Sequence, residues 1–230
     1  MLCIIIPALN EEKFLPQLLA SIEAQNLDCE IIIADADSTD HTRELALQSG
    51  CRVVRGGRQA KGRNEGAKVA RGDLLLFLDA DIILPNILLN PLLTEFKRRH
   101  LAIATCSATP LSRNPFDWLT FFVANTAIVL CQSFHPFAQG FFILIKKSIH
   151  EKIGGFDETI TFGEDSEYVA RAAKHGHFGV LPGKIMVSAR RFAKEGRVRL
   201  LLKYLALNLR RIFRGEIREK IDYPYGRFSE

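Results

Sequence analysis

Hydrophobic and polar positions fall into regular blocks along the first third of the chain. Residues 2–6 (LCIII) form an unbroken apolar run that stops at Pro7, the pattern of a strand buried on both faces. Asn10, Glu11 and Glu12 follow, and apolar positions then recur at Phe14, Leu15, Leu18, Leu19 and Ile22, which predicts an amphipathic helix. Residues 30–34 repeat the strand pattern, an acidic and hydroxyl-rich stretch covers 35–42, and residues 43–48 read as helix. A short strand fits 52–55. A helix fits 64–70, ended by Gly72, and residues 74–78 are wholly apolar and run directly into Asp79. Strand, helix, strand, helix, strand, helix, strand predicts an α/β fold with a mostly parallel central sheet and helices on both faces.

In such a sheet, ligands bind outside the carboxyl ends of the strands. The acidic residues lie at those ends: the segment from Pro7 to Glu11 follows the first strand, Asp35 to Asp40 the second, and Asp79 to Asp81 the fourth. Three separate segments are thereby expected to converge on one crevice. The second half is less regular. It predicts a strand at 103–108, a mostly apolar helix at 116–133, a buried strand at 141–145, a turn at Gly154-Gly155-Phe156-Asp157, a helix at 166–175, an extended stretch at 180–188 and a basic helix at 197–214. With no internal repeat and no clear linker, the expected division is a single domain, 1–195, carrying a C-terminal basic helix and tail, 196–230.

Composition narrows the class. At 47% apolar and 25% charged residues, the 230-residue chain is neither disordered nor fibrous. A spanning helix needs about 20 consecutive apolar residues, and the best candidate, 118–131, is interrupted by Thr120, Asn125 and Thr126, so no transmembrane segment is expected. The opening MLCIIIPALNEE lacks the basic start and the cleavage site of a secretory signal. Five scattered cysteines without a CxxC pair suggest reduced thiols in a cytosolic compartment. Charge is uneven: residues 1–183 hold 18 Lys/Arg against 21 Asp/Glu, whereas 184–230 hold 13 against 5, a net of +8. The basic end points to an anionic surface or a phosphorylated ligand. Nucleic acid is not expected, because no readout motif accompanies the charge.

Two constellations carry candidate chemistry. Asp79 and Asp81 stand at i and i+2 of an extended segment, so their carboxylates share one side. Such a pair suits a hard divalent cation that takes its remaining oxygens from substrate phosphates. A lone pair of this kind is more often a strand-end turn that caps the next helix; the other two strand-end segments favour the metal. Gly163-Glu164-Asp165 opens a helix, where carboxylates ordinarily serve as caps. The same position also suits a general base that takes a proton from a hydroxyl.

The stretches IIIPALNEEKFLPQLLASI, IIIADADSTDHT, GRNEGAKVARGDLLLFLDADIILP and GGFDETITFGEDSEYVARAAKHG, in this order, resemble family 2 glycosyltransferases of the GT-A (Rossmann-like) fold over roughly residues 2–190. The resemblance implies an inverting transfer from a nucleotide sugar, UDP-linked, with Mg²⁺ or Mn²⁺. It implies that Pro7, Ala8, Asn10 and Glu11 form the first nucleotide-binding loop, the acidic residue meeting the ribose, and that Asp35 contacts the base. The family's second Asp and Gly are here Ala36 and Asp37, a departure that leaves the base open. Arg58, Lys61 and Arg63 fall in the loop that approaches the diphosphate, although any one of them taken singly reads as surface charge. Asp81 corresponds to the direct metal ligand, Asp79 to a residue nearer the ribose or sugar that also belongs to the metal pair, and Asp165 to the catalytic base. Glu164 reads first as a helix cap. Where relatives carry a histidine after the last core strand, this chain has Arg190 and Arg191, suited to a phosphate.

In the basic helix, Val198, Leu201, Leu202, Leu205, Leu209 and Ile212 fall on one face and Arg199, Lys203, Arg210 and Arg214 on another. Packing on the domain is the commoner use of such an apolar face, and lying on an anionic membrane is the other. With the apolar segment 119–130, it supports the expectation of a cytoplasmic protein held peripherally on the membrane and acting on a lipid or a lipid-linked glycan. The alternatives are a nucleotidyltransferase, which would release pyrophosphate, and a nucleotide-sugar-binding protein without catalysis.

Overall fold

The computed structural model describes residues 1–219; the end of the expected tail, 220–230, lies outside the described residues. Seventeen elements follow in the order β1 (Leu2–Ala8), α1 (Leu15–Glu23), β2 (Cys29–Asp35), α2 (Thr42–Gln48), β3 (Arg52–Arg55), α3 (Gln59–Val69), β4 (Leu74–Leu78), β5 (Ile82–Ile83), α4 (Leu89–Arg98), β6 (Ile103–Pro110), α5 (Pro115–Cys131), β7 (Phe142–Lys146), α6 (Lys147–Lys152), α7 (Glu164–Ala173), β8 (Phe178–Val187), α8 (Arg190–Glu195) and α9 (Arg197–Arg214). The strands form one eight-stranded sheet in the order β3-β2-β1-β4-β7-β6-β8-β5. β1 pairs in parallel with β2 and β4, β2 with β3, and β6 with β8, while β7 and β5 run against their neighbours.

β1 lies inside the sheet and is buried at every position, which is why it reads as a continuous apolar run. Its side chains alternate between two cores. Leu2, Ile4, Ile6 and Ala8 join α1 and α4 on one face, whereas Cys3 and Ile5 join α3 and α7 on the other. The cysteines are all free, and Cys3, Cys51 and Cys106 are buried.

α3 begins at Gln59, five positions before the sequence pattern suggests, because Gly62 and Gly66 dilute its helical signal. The same glycines bring it close to β1: a Cβ on Gly62 would lie 3.1 Å from Pro7, and one on Gly66 would overlap Ile5 Cγ2. Gly66→Ala is therefore expected to destabilise the fold by about 1–3 kcal/mol through overpacking, seen as a lower denaturant midpoint at an unchanged m-value. α4 is absent from the sequence reading. Pro91 looks like a breaker there, yet it occupies the first turn of the helix, where its missing N–H has no intrahelical partner to lose.

Candidate active site

The loop after β1 is stitched to the loop after β2. Asn10 takes a left-handed backbone (φ 55°), and its side-chain oxygen accepts from the Thr39 N–H at 2.8 Å. The N–H groups of Asn10 and Glu11 donate to the hydroxyls of Ser38 (3.0 Å) and Thr42 (2.7 Å). Pro7 and Ala8 close β1, and the Ala8 carbonyl accepts from Ala36 N–H at 2.9 Å. Asp35 ends β2 almost fully buried, accepts from Ser38 N–H at 3.3 Å and lies 3.8 Å from the Arg43 guanidinium. Two strand ends are thereby held as one wall.

A second layer is ionic. Arg190, the first residue of α8, reaches back 179 positions to place one guanidinium nitrogen 2.5 Å from Glu11 Oε1 and its Nε 3.0 Å from Asp81 Oδ2. Its guanidinium carbon lies 4.3 Å from the centre of the Phe14 ring. Burial pushes the Glu11 carboxyl up to about 7 against the pull of Arg190, and its Oε2 is buried with no hydrogen-bond partner among the described residues. Burial also raises Asp81, while Arg190 and then Arg191 act to lower it.

A third cluster joins the strand end of β4 to the start of α7. Arg63 is 1% exposed; its Nη2 donates to Asp79 Oδ1 at 3.1 Å and to the Gly140 carbonyl at 3.2 Å, and its Nη1 donates to Glu164 Oε1 at 3.1 Å. Burial opposes charge on this guanidinium, but Asp79, Glu164 and Asp165 more than offset it and hold the group protonated. Asp165 accepts from Ser166 N–H at 2.7 Å, and its carboxyl is pushed up to about 6, by burial first and by Glu164 second. A Cβ on Gly140 would overlap Arg63 Nη2 and come within 3.3 Å of Asp165 Oδ2, so this position must lack a side chain for the two to stay close.

The geometry corrects three expectations. Arg58 and Lys61 belong to the N-cap and first turn of α3, where both are exposed and line a small pocket with Glu158, Thr161 and Glu164. Arg63 is likewise on α3 and does not reach toward a diphosphate, because its guanidinium is committed to two carboxylates and a carbonyl. Glu164 is a partner for Arg63 and no cap, since it is the first residue of α7 and the N-cap, Gly163, carries no side-chain capping bond. The sequence pattern reveals neither Gly140 nor the pairing of Arg63 with Glu164, 101 positions apart. A lone long cation among the small residues of GRNEGA was the available signal.

Asp79 and Asp81 offer two carboxylates at one strand end, and among the described residues, this site included, no group of three or more His, Cys, Asp or Glu is placed to hold a metal ion. Two carboxylate ligands fit a hard divalent cation that is otherwise held by water and substrate phosphates.

The sequence profile described as Glycosyl transferase family 2 matches residues 3–154. The chain belongs to that family. This family 2 member is 40% identical over 92 residues to the 4,4'-diaponeurosporenoate glycosyltransferase of Staphylococcus haemolyticus, a match covering 36% of the chain. It spans about a quarter of that relative's length (24%). Among solved structures it is similar to S. aureus TarS 1–349 in complex with UDP-GlcNAc, with a TM-score of 0.66 at 19% identity, covering 81% of this chain and 58% of TarS. Glucosyl-3-phosphoglycerate synthase from Mycobacterium tuberculosis, in complex with Mn²⁺, UDP and phosphoglyceric acid, gives 0.61 at 18% identity over 90% and 78%. At these identities the likeness establishes the fold, a GT-A-type α/β sheet.

Proposed function

We infer that this chain transfers a sugar from a nucleotide-diphosphate sugar, UDP-linked, to an acceptor hydroxyl with inversion at the anomeric carbon. One observation carries the reading: Glu11, Asp81, Asp79 and Asp165, from three separate segments, are drawn to one crevice by two guanidinium groups, Arg190 and Arg63. Residues 1–195 would form the transferase unit and 196–230 a basic helix and tail.

Pro7, Ala8 and Asn10 line the nucleotide loop, Glu11 accepts a ribose hydroxyl at its unpartnered Oε2, and Asp35 meets the base. Arg58, Lys61 and Arg191 supply positive charge toward the diphosphate, and Arg190 adds its charge from its place between Glu11 and Asp81. Asp81 and Asp79 hold Mg²⁺ or Mn²⁺, which when bound neutralises charge on the departing nucleotide. Asp165 removes the acceptor's proton as the acceptor oxygen bonds to the anomeric carbon and the bond to the diphosphate oxygen breaks, so the nucleoside diphosphate leaves with the electron pair. The bound UDP-GlcNAc of TarS and the UDP and Mn²⁺ of the synthase support this donor class. A lipid or lipid-linked glycan is the acceptor, at the cytoplasmic face of a membrane.

A ligand that binds only the native state raises its melting temperature, so a panel of nucleoside diphosphates and their sugars, each with and without Mn²⁺, tests the reading. UDP compounds should stabilise the chain in a Mn²⁺-dependent way, and Asp81→Ala should remove the Mn²⁺-dependent part. No shift with any nucleotide would overturn the proposal, and release of pyrophosphate in place of UDP would reassign the chain to nucleotidyl transfer.

A further inference from the structure

α9 does not use its apolar face to hold the domain. Val198, Leu201, Leu202, Leu205, Leu209 and Ile212 recur three and four residues apart, so they share one side of the helix. All six are exposed, from 38% at Leu201 to 73% at Ile212. The helix is anchored by its other side: Leu200 is buried, the Tyr204 ring lies 6.0 Å from Phe162, and Arg211 pairs with Glu216 while lying against Gly163. α5 carries a second exposed stripe, including Trp118, Leu119, Phe122 and Leu130 at 49–68%. Asp117, fully buried in the first turn of α5, accepts from Arg197 at 2.9 and 3.2 Å and from Ser112 at 2.6 Å. Both stripes therefore start one residue from the same buried ion pair. Exposed apolar surface of this extent marks an interaction site.

We propose that the stripes of α5 and α9 form one docking surface for an anionic lipid bilayer, and that the bilayer delivers the acceptor hydroxyl to the start of α7, which carries Asp165. Charge selects this occupant. Arg199, Lys203, Arg210 and Arg214 flank the apolar side of α9, and among the described residues Arg199 and Arg214 have no acidic partner. A second copy of the chain would set this basic flank against itself, whereas anionic headgroups neutralise it. No helix among the described residues is long and apolar enough to cross a membrane, so the surface lies on the bilayer. The inner side of α9 and the residues after it cover the segment that leads into α7: beyond the contacts of Tyr204 and Arg211, Thr161 N–H donates to the Ile217 carbonyl at 2.8 Å. A helix seated on the headgroups thus sets the start of α7, with Asp165, one helix diameter (~10 Å) from them. The acceptor part of this proposal rests on the function inferred above.

The full chain is floated with phosphatidylcholine vesicles with and without phosphatidylglycerol, beside Leu205→Glu/Ile212→Glu, whose sites are exposed on the outer face of α9. The chain should partition onto the anionic vesicles, and the double variant should lose more than about tenfold in partitioning, because burial of aliphatic side chains drives an interfacial helix. Melting temperature and UDP release without vesicles should be unchanged in the variant. Absence of binding to anionic vesicles, equal binding by the variant, or a lipid-free dimer that the variant abolishes would each overturn the docking surface. Vesicle binding without any UDP release from a UDP-sugar would leave the surface standing and remove the proposed reaction.

Discussion

Asp165→Asn is expected to lower turnover by about 10²- to 10⁴-fold, the usual contribution of a positioned general base, while changing donor affinity by less than about twofold. The substitution is nearly isosteric, and an asparagine side-chain oxygen can still accept from the Ser166 N–H that now lies 2.7 Å from Asp165. What it removes is the capacity to take a proton. In the proposed reading donor binding depends on Glu11, Asp35, Asp79 and Asp81, none of which bonds to Asp165, so nucleotide-induced stabilisation should survive. The pH dependence supplies a second test. The carboxyl is held up to about 6 by burial and by Glu164, so it is charged and able to accept a proton above that pH and loses the ability below it. Wild-type kcat/KM should therefore fall as pH drops through about 6, and the residual activity of the variant should lack that step. Full activity in the variant, or an unchanged step, would remove Asp165 from the base role.

What the sequence revealed of this chain, and what it hid, follows the range of the interactions involved. β1, β2 and β4 were legible because each contains a short apolar run whose burial on both faces leaves no polar alternation to confuse the pattern. α9 was legible to the residue because its two faces differ so strongly in polarity, yet the sequence could not say which face meets the domain. The commoner expectation, that the leucine stripe packs inward, fails here: Leu200, Tyr204 and Arg211 make the contacts and the stripe faces out. The acidic strand ends were legible as a convergent set because parallel topology forces those ends together. Their cationic partners were not. Arg190 meets Glu11 across 179 positions and Arg63 meets Glu164 across 101. No local pattern encodes such a pairing, and a buried arginine has the same letter as a solvated one. From sequence Arg63 accordingly reads as a loop residue facing phosphate, and Gly140, whose missing side chain makes room for it, gives no signal at all.

Arg63→Met is expected to destabilise the fold by about 3 kcal/mol, the lower end of the cost of breaking a buried ion pair from one side. The lower end applies because Asp79, with its side chain 28% exposed, can recover water, whereas Glu164 at 12% cannot do so fully. For a domain of this size the loss lowers Tm by roughly 6–12 °C. Arg63→Lys should rescue only part of it, since one ammonium cannot bridge Asp79, Glu164 and the Gly140 carbonyl in the forked geometry that a guanidinium provides. Adding Glu164→Gln to Arg63→Met should cost less than the sum of the two single changes, because the second removes the charge that the first left unpaired. A purely structural role would end there. Arg63 also lowers the Asp165 carboxyl through its charge, so in Arg63→Met the acid limb of kcat/KM should move to higher pH, above about 6, under conditions where the variant is still folded. A variant of reduced stability with an unmoved pH profile would confine Arg63 to the fold; a moved profile makes it the residue through which the strand-end carboxylates and the base are set relative to one another.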